Sequence, residues 1–273
     1  MKQKLFILIG LLTLQSTFAV YEVDVILKSG AVMKATQLLL QGDRIRMNGE
    51  RPPVATNAVE RLEFRFRELS PDLCASLYSS GRLASLRGRL DQVLSSLSSL
   101  KTIPSNLDVY WYWLLKCEYW SGNEVGALRA VDVLQVSRSQ QEVDVAEMYA
   151  ALIWLDRKNA DQAQQHRNRI RNAELVSLPM SHYVEARMLL LKKEYKNALR
   201  EVVKIVALYP RDREWMAPAL FLEAEIYVKL GAMAQVEQVV QELRWSYPDS
   251  EWTNKAMSLL QSTKEKAKMG DTI

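Results

Sequence analysis

The groups in this 273-residue chain that could do covalent or metal chemistry are few. His166 stands in Gln164-Gln165-His166-Arg167-Asn168-Arg169, a polar run that reads as a solvated helix face, as does the basic stretch Arg167–Arg171. His182 follows Ser181 near a helix start and reads as structural or exposed. Neither histidine has a second histidine or a cysteine at ligand spacing, so no metal and no cofactor is expected. Ser98-Ser99-Leu100-Lys101 has the Ser-x-x-Lys spacing of an acylating pair, but it falls at a helix end without companion motifs. No serine occupies a nucleophile elbow and no glycine-rich loop could cradle a phosphate. The chain reads as non-catalytic, with no catalytic residue to name. Cys74 and Cys117 are its only cysteines, which leaves two readings: buried free thiols or one disulfide, if geometry permits a bridge.

Binding chemistry is better represented. Tyr110, Trp111, Tyr112, Trp113, Tyr119 and Trp120 crowd eleven positions. On a helix they cannot all face one way. Trp111, Leu114 and Leu115 form a core face, while Tyr112, Lys116 and Tyr119, at spacings of four and three, share another. The matching face further along offers Met148 and Leu152, then Tyr183 and Arg187, then Phe221 and Glu225. An aromatic stripe with interspersed charge suits the gripping of a peptide or helix. The candidate anchors are Tyr112, Tyr119, Tyr183 and Phe221, with Lys116 and Arg187 as polar contacts. The competing reading is that the stripe packs against other parts of the same chain.

The elements that would position this stripe are helices. Apolar residues recur at spacings of three and four from Leu73 to Leu100, a degenerate first helix pair opened by Ser70-Pro71-Asp72 and turned at Gly81. Ser105 is a candidate cap for the next helix, and Gly122-Asn123 turns the chain. The following pair carries Ala151 and Trp154, then Ala163 and Ile170. Shifting Val184–Pro210 by 38 positions superposes Ala186 on Ala224, Ala198 on Val236 and Tyr209-Pro210 on Tyr247-Pro248. The second-helix markers Ala127, Ala163, Ala198 and Val236 are 36, 35 and 38 apart. Small residues let paired helices approach, and proline ends the second helix. Asp249-Ser250 caps a last helix with Trp252, Ala256, Leu259 and Leu260 on one face and charge on the other, as the end of an array requires.

From Ser105 to Pro248 this pattern resembles the tetratricopeptide repeat, whose unit is about 34 residues. The second of the four units has Lys158 where the turn glycine is expected. The resemblance implies a mainly α fold, a solenoid of helix–turn–helix repeats, whose first helices line a concave face that binds protein.

Ahead of the helices lies a β-rich stretch. Val23–Leu27, Ala31–Leu40, Arg44–Met47 and Val59–Phe66 read as strands, with turns at Lys28-Ser29-Gly30, Gln41-Gly42-Asp43 and Asn48-Gly49. The order Val-x-Leu-Lys-x-Gly … Val-Glu-Arg-Leu-Glu-Phe resembles the small SH3-like barrels of bacterial envelope proteins. Met1–Ala19 has a basic start, about ten apolar residues and small residues before a cleavage point, a secretory signal peptide rather than a span of about 20 residues. Its removal leaves 254 residues and lowers the net charge from +4 to +2, which gives no reason to expect nucleic acid or acidic lipid as a partner. No later segment is apolar enough to cross a membrane.

The expected organisation is a signal peptide at 1–19, a small antiparallel β module at 20–68 and a degenerate helix pair at 69–104. Four tetratricopeptide-like repeats at 105–250 and a capping helix with its tail at 251–273 complete it. The whole is similar to the periplasmic tetratricopeptide proteins of Gram-negative envelopes, including outer-membrane assembly lipoproteins and partners of the Tol–Pal system, although no lipidated cysteine is present. The similarity implies a periplasmic or secreted adaptor for a protein or peptide partner, in an oligomeric state left open. The alternative is a cell-wall or glycan-binding module in the β part, with the helices as spacer.

Overall fold

The structure, a computed structural model, describes residues 21–48 and 52–268. The signal-peptide reading, Gly49 of the expected turn, and the tail from 269 lie outside the described residues. The chain divides into two compact units at Ser70/Pro71.

The first unit is antiparallel β. Its strands are β1 (Tyr21–Leu27), β2 (Val32–Ala35), β3 (Leu38–Gln41), β4 (Arg44–Met47), β5 (Val54–Ala55) and β6 (Val59–Phe66), in two three-stranded sheets ordered β2-β1-β6 and β3-β4-β5. Alternation sets the faces. Val23 pairs with Phe64 and Val25 with Leu62, and all four are buried. Burying each stabilises the unit by roughly 1.5–3 kcal/mol relative to exposure. Between them Asp24 points outward and accepts two bonds from Arg65, at 2.8 and 3.0 Å, which lowers the Asp24 pKa. The single extended segment expected over Ala31–Leu40 is two strands. The Thr36 N–H leaves the ladder to donate to Asn48 Oδ1 at 2.8 Å. Tyr21 packs edge-on against Phe64, and its hydroxyl accepts the Leu38 N–H, joining the two sheets.

The second unit is helical: α1 (Pro71–Ser79), α2 (Leu83–Leu94), α3 (Asp108–Trp120), α4 (Glu124–Leu134), α5 (Gln140–Asp156), α6 (Ala160–Arg167), α7 (Leu178–Leu191), α8 (Tyr195–Leu208), α9 (Met216–Leu230), α10 (Met233–Ser246) and α11 (Glu251–Lys268). Each helix packs on the next, and each odd-numbered helix also packs on the next odd one. This is a two-layer stacking that fits a solenoid, with the odd helices as a continuous row. Every small-residue marker is fully buried: Ala127, Ala163, Ala186, Ala198, Ala224 and Val236. Among the described residues no helix is long and apolar enough to cross a membrane.

The five turns inside the pairs share one geometry. Gly81, Gly122, Lys158, Lys193 and Gly231 all take positive φ, between 58° and 72°. In each, the N–H of that residue reaches the carbonyl three back and the next N–H reaches the carbonyl five back, as in Gly122 to Tyr119 and Asn123 to Glu118. This is the Schellman closure. It carries no Cβ strain at glycine and costs about 1 kcal/mol at lysine. Asn123 and Asn159 follow immediately and accept the Gly126 and Gln162 N–H groups, starting α4 and α6. The two Tyr-Pro ends also match, since Tyr209 and Tyr247 adopt nearly equal φ and ψ.

Three expectations shift. The second helix of the first pair ends at Leu94 and continues as a 3₁₀ turn over Ser95–Leu100. Its serines compete for the backbone, Ser95 Oγ donating to the Asp91 carbonyl. The α3 helix begins at Asp108 rather than at Ser105, whose Oγ accepts the Leu107 N–H before the helix starts. Ile170 lies beyond α6. There the Asp144 carboxylate accepts the Arg171 and Asn172 N–H groups at 3.0 and 2.9 Å and turns the chain toward α7.

Candidate partner-binding cleft

The odd helices carry a belt of rings in edge and tilted contact, the geometry aromatic pairs favour. It runs from Tyr78 on α1 to Trp113 and Tyr112 on α3, with centroids 5.3 Å apart at each step. At the far end of α3, Tyr119 meets Trp120 at 4.9 Å and Tyr149 of α5 at 5.3 Å. Trp120 meets Trp215 at 5.2 Å and Trp252 of α11 at 6.0 Å. Tyr183 of α7 lies on Trp215, and Phe221 of α9 on Trp252.

One carboxylate organises the middle of this belt. Glu214, on the connection between α8 and α9, is oriented by Asp212, whose Oδ1 accepts the Glu214 and Trp215 N–H groups. Its Oε1 accepts from the Tyr78 hydroxyl at 2.9 Å, the Tyr149 hydroxyl at 3.0 Å and the Trp120 indole at 3.2 Å. Its Oε2 accepts from Lys116 Nζ at 2.7 Å. The buried ammonium is also caged by rings, 4.3 Å from the centroid of Tyr78, 5.1 Å from Trp113 and 5.2 Å from Tyr112. Burial alone works against the charge of Lys116. Glu214 and Tyr112 more than offset it, so the lysine pKa is raised. Burial, reinforced by Glu214, also raises the Tyr78 and Tyr149 pKa values, keeping both hydroxyls protonated as donors.

Beside this node a cleft of ≈ 380 Å³ opens between α3, α5 and the start of α7. Tyr112, Trp113, Glu142, Val145, Met180 and Trp215 are among its walls. Glu142 lies in the first turn of α5 and is half-buried. Burial first, and Asp108 second, raise its pKa. Ser139 and Glu142 have the spacing of a capping box, in which the carboxylate would take the Ser139 N–H. Here that N–H donates to Ser137 Oγ at 3.0 Å, and Ser137 Oγ donates to Asp108. Among the described residues the Glu142 carboxylate has neither a hydrogen-bond nor an ion-pair partner.

The six candidate residues therefore lie along one belt at three stations. Tyr112 and Lys116 border the cleft. Tyr119, Tyr183 and Arg187 form a second group, in which Arg187 donates to Asp156 at 2.8 Å and lies 5.8 Å from the Tyr183 ring. Phe221 is at the third, against Trp252. Tyr183 and Lys116 are buried and the other four half-buried, and the charges of Lys116 and Arg187 are already matched within the chain. On α5 the stripe passes through Tyr149, which is as buried as Met148 and Leu152 but meets the Tyr119 ring and Glu214. Glu142, Glu214 and Trp215 join this face without having been marked by spacing, and Trp252 joins the belt from the apolar face expected of the last helix.

The other chemical candidates resolve into structural roles. His166 is not on a solvated face. Its Nε2 accepts the Trp154 indole N–H at 3.1 Å and its Nδ1 faces buried Glu147 at 2.7 Å. His182 Nδ1 lies 2.9 Å from Glu201. Cys74 and Cys117 are free buried thiols, with pKa values pushed up by burial to about 11 and about 12. Ser98 Oγ donates to the Ser95 carbonyl. No protein-family model matches the chain, and no curated protein matches it in sequence.

Proposed function

We propose that the chain is an exported, non-catalytic adaptor of tetratricopeptide type, with an SH3-like β module at its N-terminus, that holds a protein or peptide segment against its row of odd helices in the cell envelope. The cleft at Tyr112 carries this reading: it is a concave, aromatic-lined opening on the face where such repeats grip their ligands. Turn residues spaced 41, 36, 35 and 38 apart support a repeat of this class.

The test is capture of a stoichiometric partner from an envelope extract by the whole protein. Tyr112→Ala, which opens the cleft wall, is expected to abolish capture; because it also removes a ring and a hydroxyl from around Lys116, its thermal transition should stay cooperative but fall to a lower temperature. Val203→Ala, at an exposed position on α8, should capture as well as the parent. Capture untouched by Tyr112→Ala would sink the reading. Retention on purified wall glycan instead would move the activity to the β unit. Tyr183→Ala is a poor probe, because that ring is buried on Trp215 and its loss would loosen the fold.

A further inference from the structure

The cleft is charged as well as aromatic, and its charges do not balance. Lys116 is the only cation among the described residues lining it, and Glu214 takes up that charge at 2.7 Å. Glu142 is then left without a counter-ion, with Asp108 near it and engaged by the Ser137 hydroxyl at 2.5 Å. A lone, half-buried carboxylate among rings is a costly arrangement unless a positive group joins it.

We infer that the cleft receives the cationic side chain, arginine or lysine, of a peptide segment, with Glu142 as counter-ion and the Tyr112 and Trp113 rings against its charged head. This rests on the binding reading of the same face given above. The rings are suited to the task, since Tyr112 and Trp113 already stand within 5.2 Å of one cation, Lys116. Val145 and Met180 offer apolar surface for the aliphatic stem. An acidic side chain would meet the uncompensated Glu142, a like-charge clash, since Lys116 is already neutralised by Glu214. A wholly apolar one would bury Glu142 further with no partner. The charge of the cleft therefore selects a basic ligand.

The experiment titrates the full chain with a short capped peptide bearing two arginines, its norleucine counterpart and spermidine, read by tryptophan fluorescence and calorimetry. The arginine peptide is expected to bind, to weaken with added salt, and to lose about tenfold or more in affinity in Glu142→Gln. Glu142→Asp should recover part of that loss, and Glu174→Gln, an exposed acid, should change nothing. Equal binding of the norleucine peptide, undiminished binding by Glu142→Gln, or no binding of the arginine peptide at millimolar concentration would overturn the inference. Spermidine binding as tightly as the peptide would also overturn it, by making the ligand a free amine. Capture from envelope extract separates the two readings. Loss in Tyr112→Ala with retention in Glu142→Gln defeats the basic-side-chain inference alone, retention in both defeats both, and loss in both supports both.

Discussion

Glu214 and Glu142 face the same cleft, and their surroundings are opposite. Glu214 accepts from two tyrosine hydroxyls, an indole and an ammonium contributed by α1, α3 and α5. Among the described residues none donates to Glu142 on α5, because the N–H that would have capped it is held by Ser137. A carboxylate with every neighbour satisfied fixes structure. One that is desolvated and left open stores affinity for something else. On the proposed reading the two walls of one cleft divide the work of folding and of recognition, and substitution should separate them.

The largest effect is expected at Glu214. Glu214→Ala leaves Lys116 buried without its anion and strips three further donors, so urea unfolding should show a loss of about 3–5 kcal/mol. The same wall should fail in alkali. The raised Lys116, Tyr78 and Tyr149 pKa values mean that the native state holds their protons more tightly than the unfolded chain does. Their contribution is complete below about pH 10 and is lost as pH rises beyond it, which circular dichroism at increasing pH would follow.

A third carboxylate, Glu118, is satisfied like Glu214 but lies outside the cleft, held by Arg87 at 2.9 Å and Asn123 at 2.7 Å. Its space depends on Gly126, where an added Cβ would stand 2.5 Å from Glu118 Cδ. Gly126→Ala should cost about 1–3 kcal/mol, although alanine is the better helix former. A stabilised variant would show that Glu118 has room to move and that full satisfaction does not imply a rigid site. Smaller and opposite in sign, Lys158→Gly and Lys193→Gly should each stabilise by up to about 1 kcal/mol, by relieving left-handed strain remote from both walls.

The smallest change is expected at Glu142. Glu142→Gln should stay within about 0.5 kcal/mol of the parent at neutral pH, in contrast with Glu214→Ala. The sign of its pH dependence follows from the raised pKa. Whatever favours the native state through the protonated Glu142 is present below about pH 4 and lost as pH rises through the folded pKa. Any advantage of glutamine over glutamate should therefore grow from acid toward neutral pH. A glutamine variant that is clearly less stable at pH 7 would show that Glu142 has a structural partner after all, and the contrast between the walls would fall.

Much of the helical unit is legible in the chain because its signals are local. Gly81, Gly122 and Gly231 mark turns that need positive φ, and the alanine markers follow the repeat period into the core. Lys158 and Lys193 adopt the same conformation with no glycine to announce it, since the closing hydrogen bonds outweigh the strain. The α5 helix misled by one position. Val145, Ala146 and the whole run Met148–Ile153 are buried, so no apolar stripe distinguishes Tyr149 from Met148. Glu214 and Trp215 were illegible for a different reason. They sit in a connector, and nothing in a local window signals partners as far back as Tyr78.

That reach has a consequence for the array as a whole. In repeats that touch only their neighbours, stability is close to a sum over adjacent pairs, ends fray independently, and units can be gained or lost. Glu214 instead ties the connection between the fourth and fifth pairs to the first three odd helices, bonding residues 65 to 136 positions away. Such a cross-brace should make distant helix pairs melt together, in one step rather than from the ends. It also fixes their number, because a repeat inserted or deleted between α5 and α8 would carry the carboxylate out of reach of its donors.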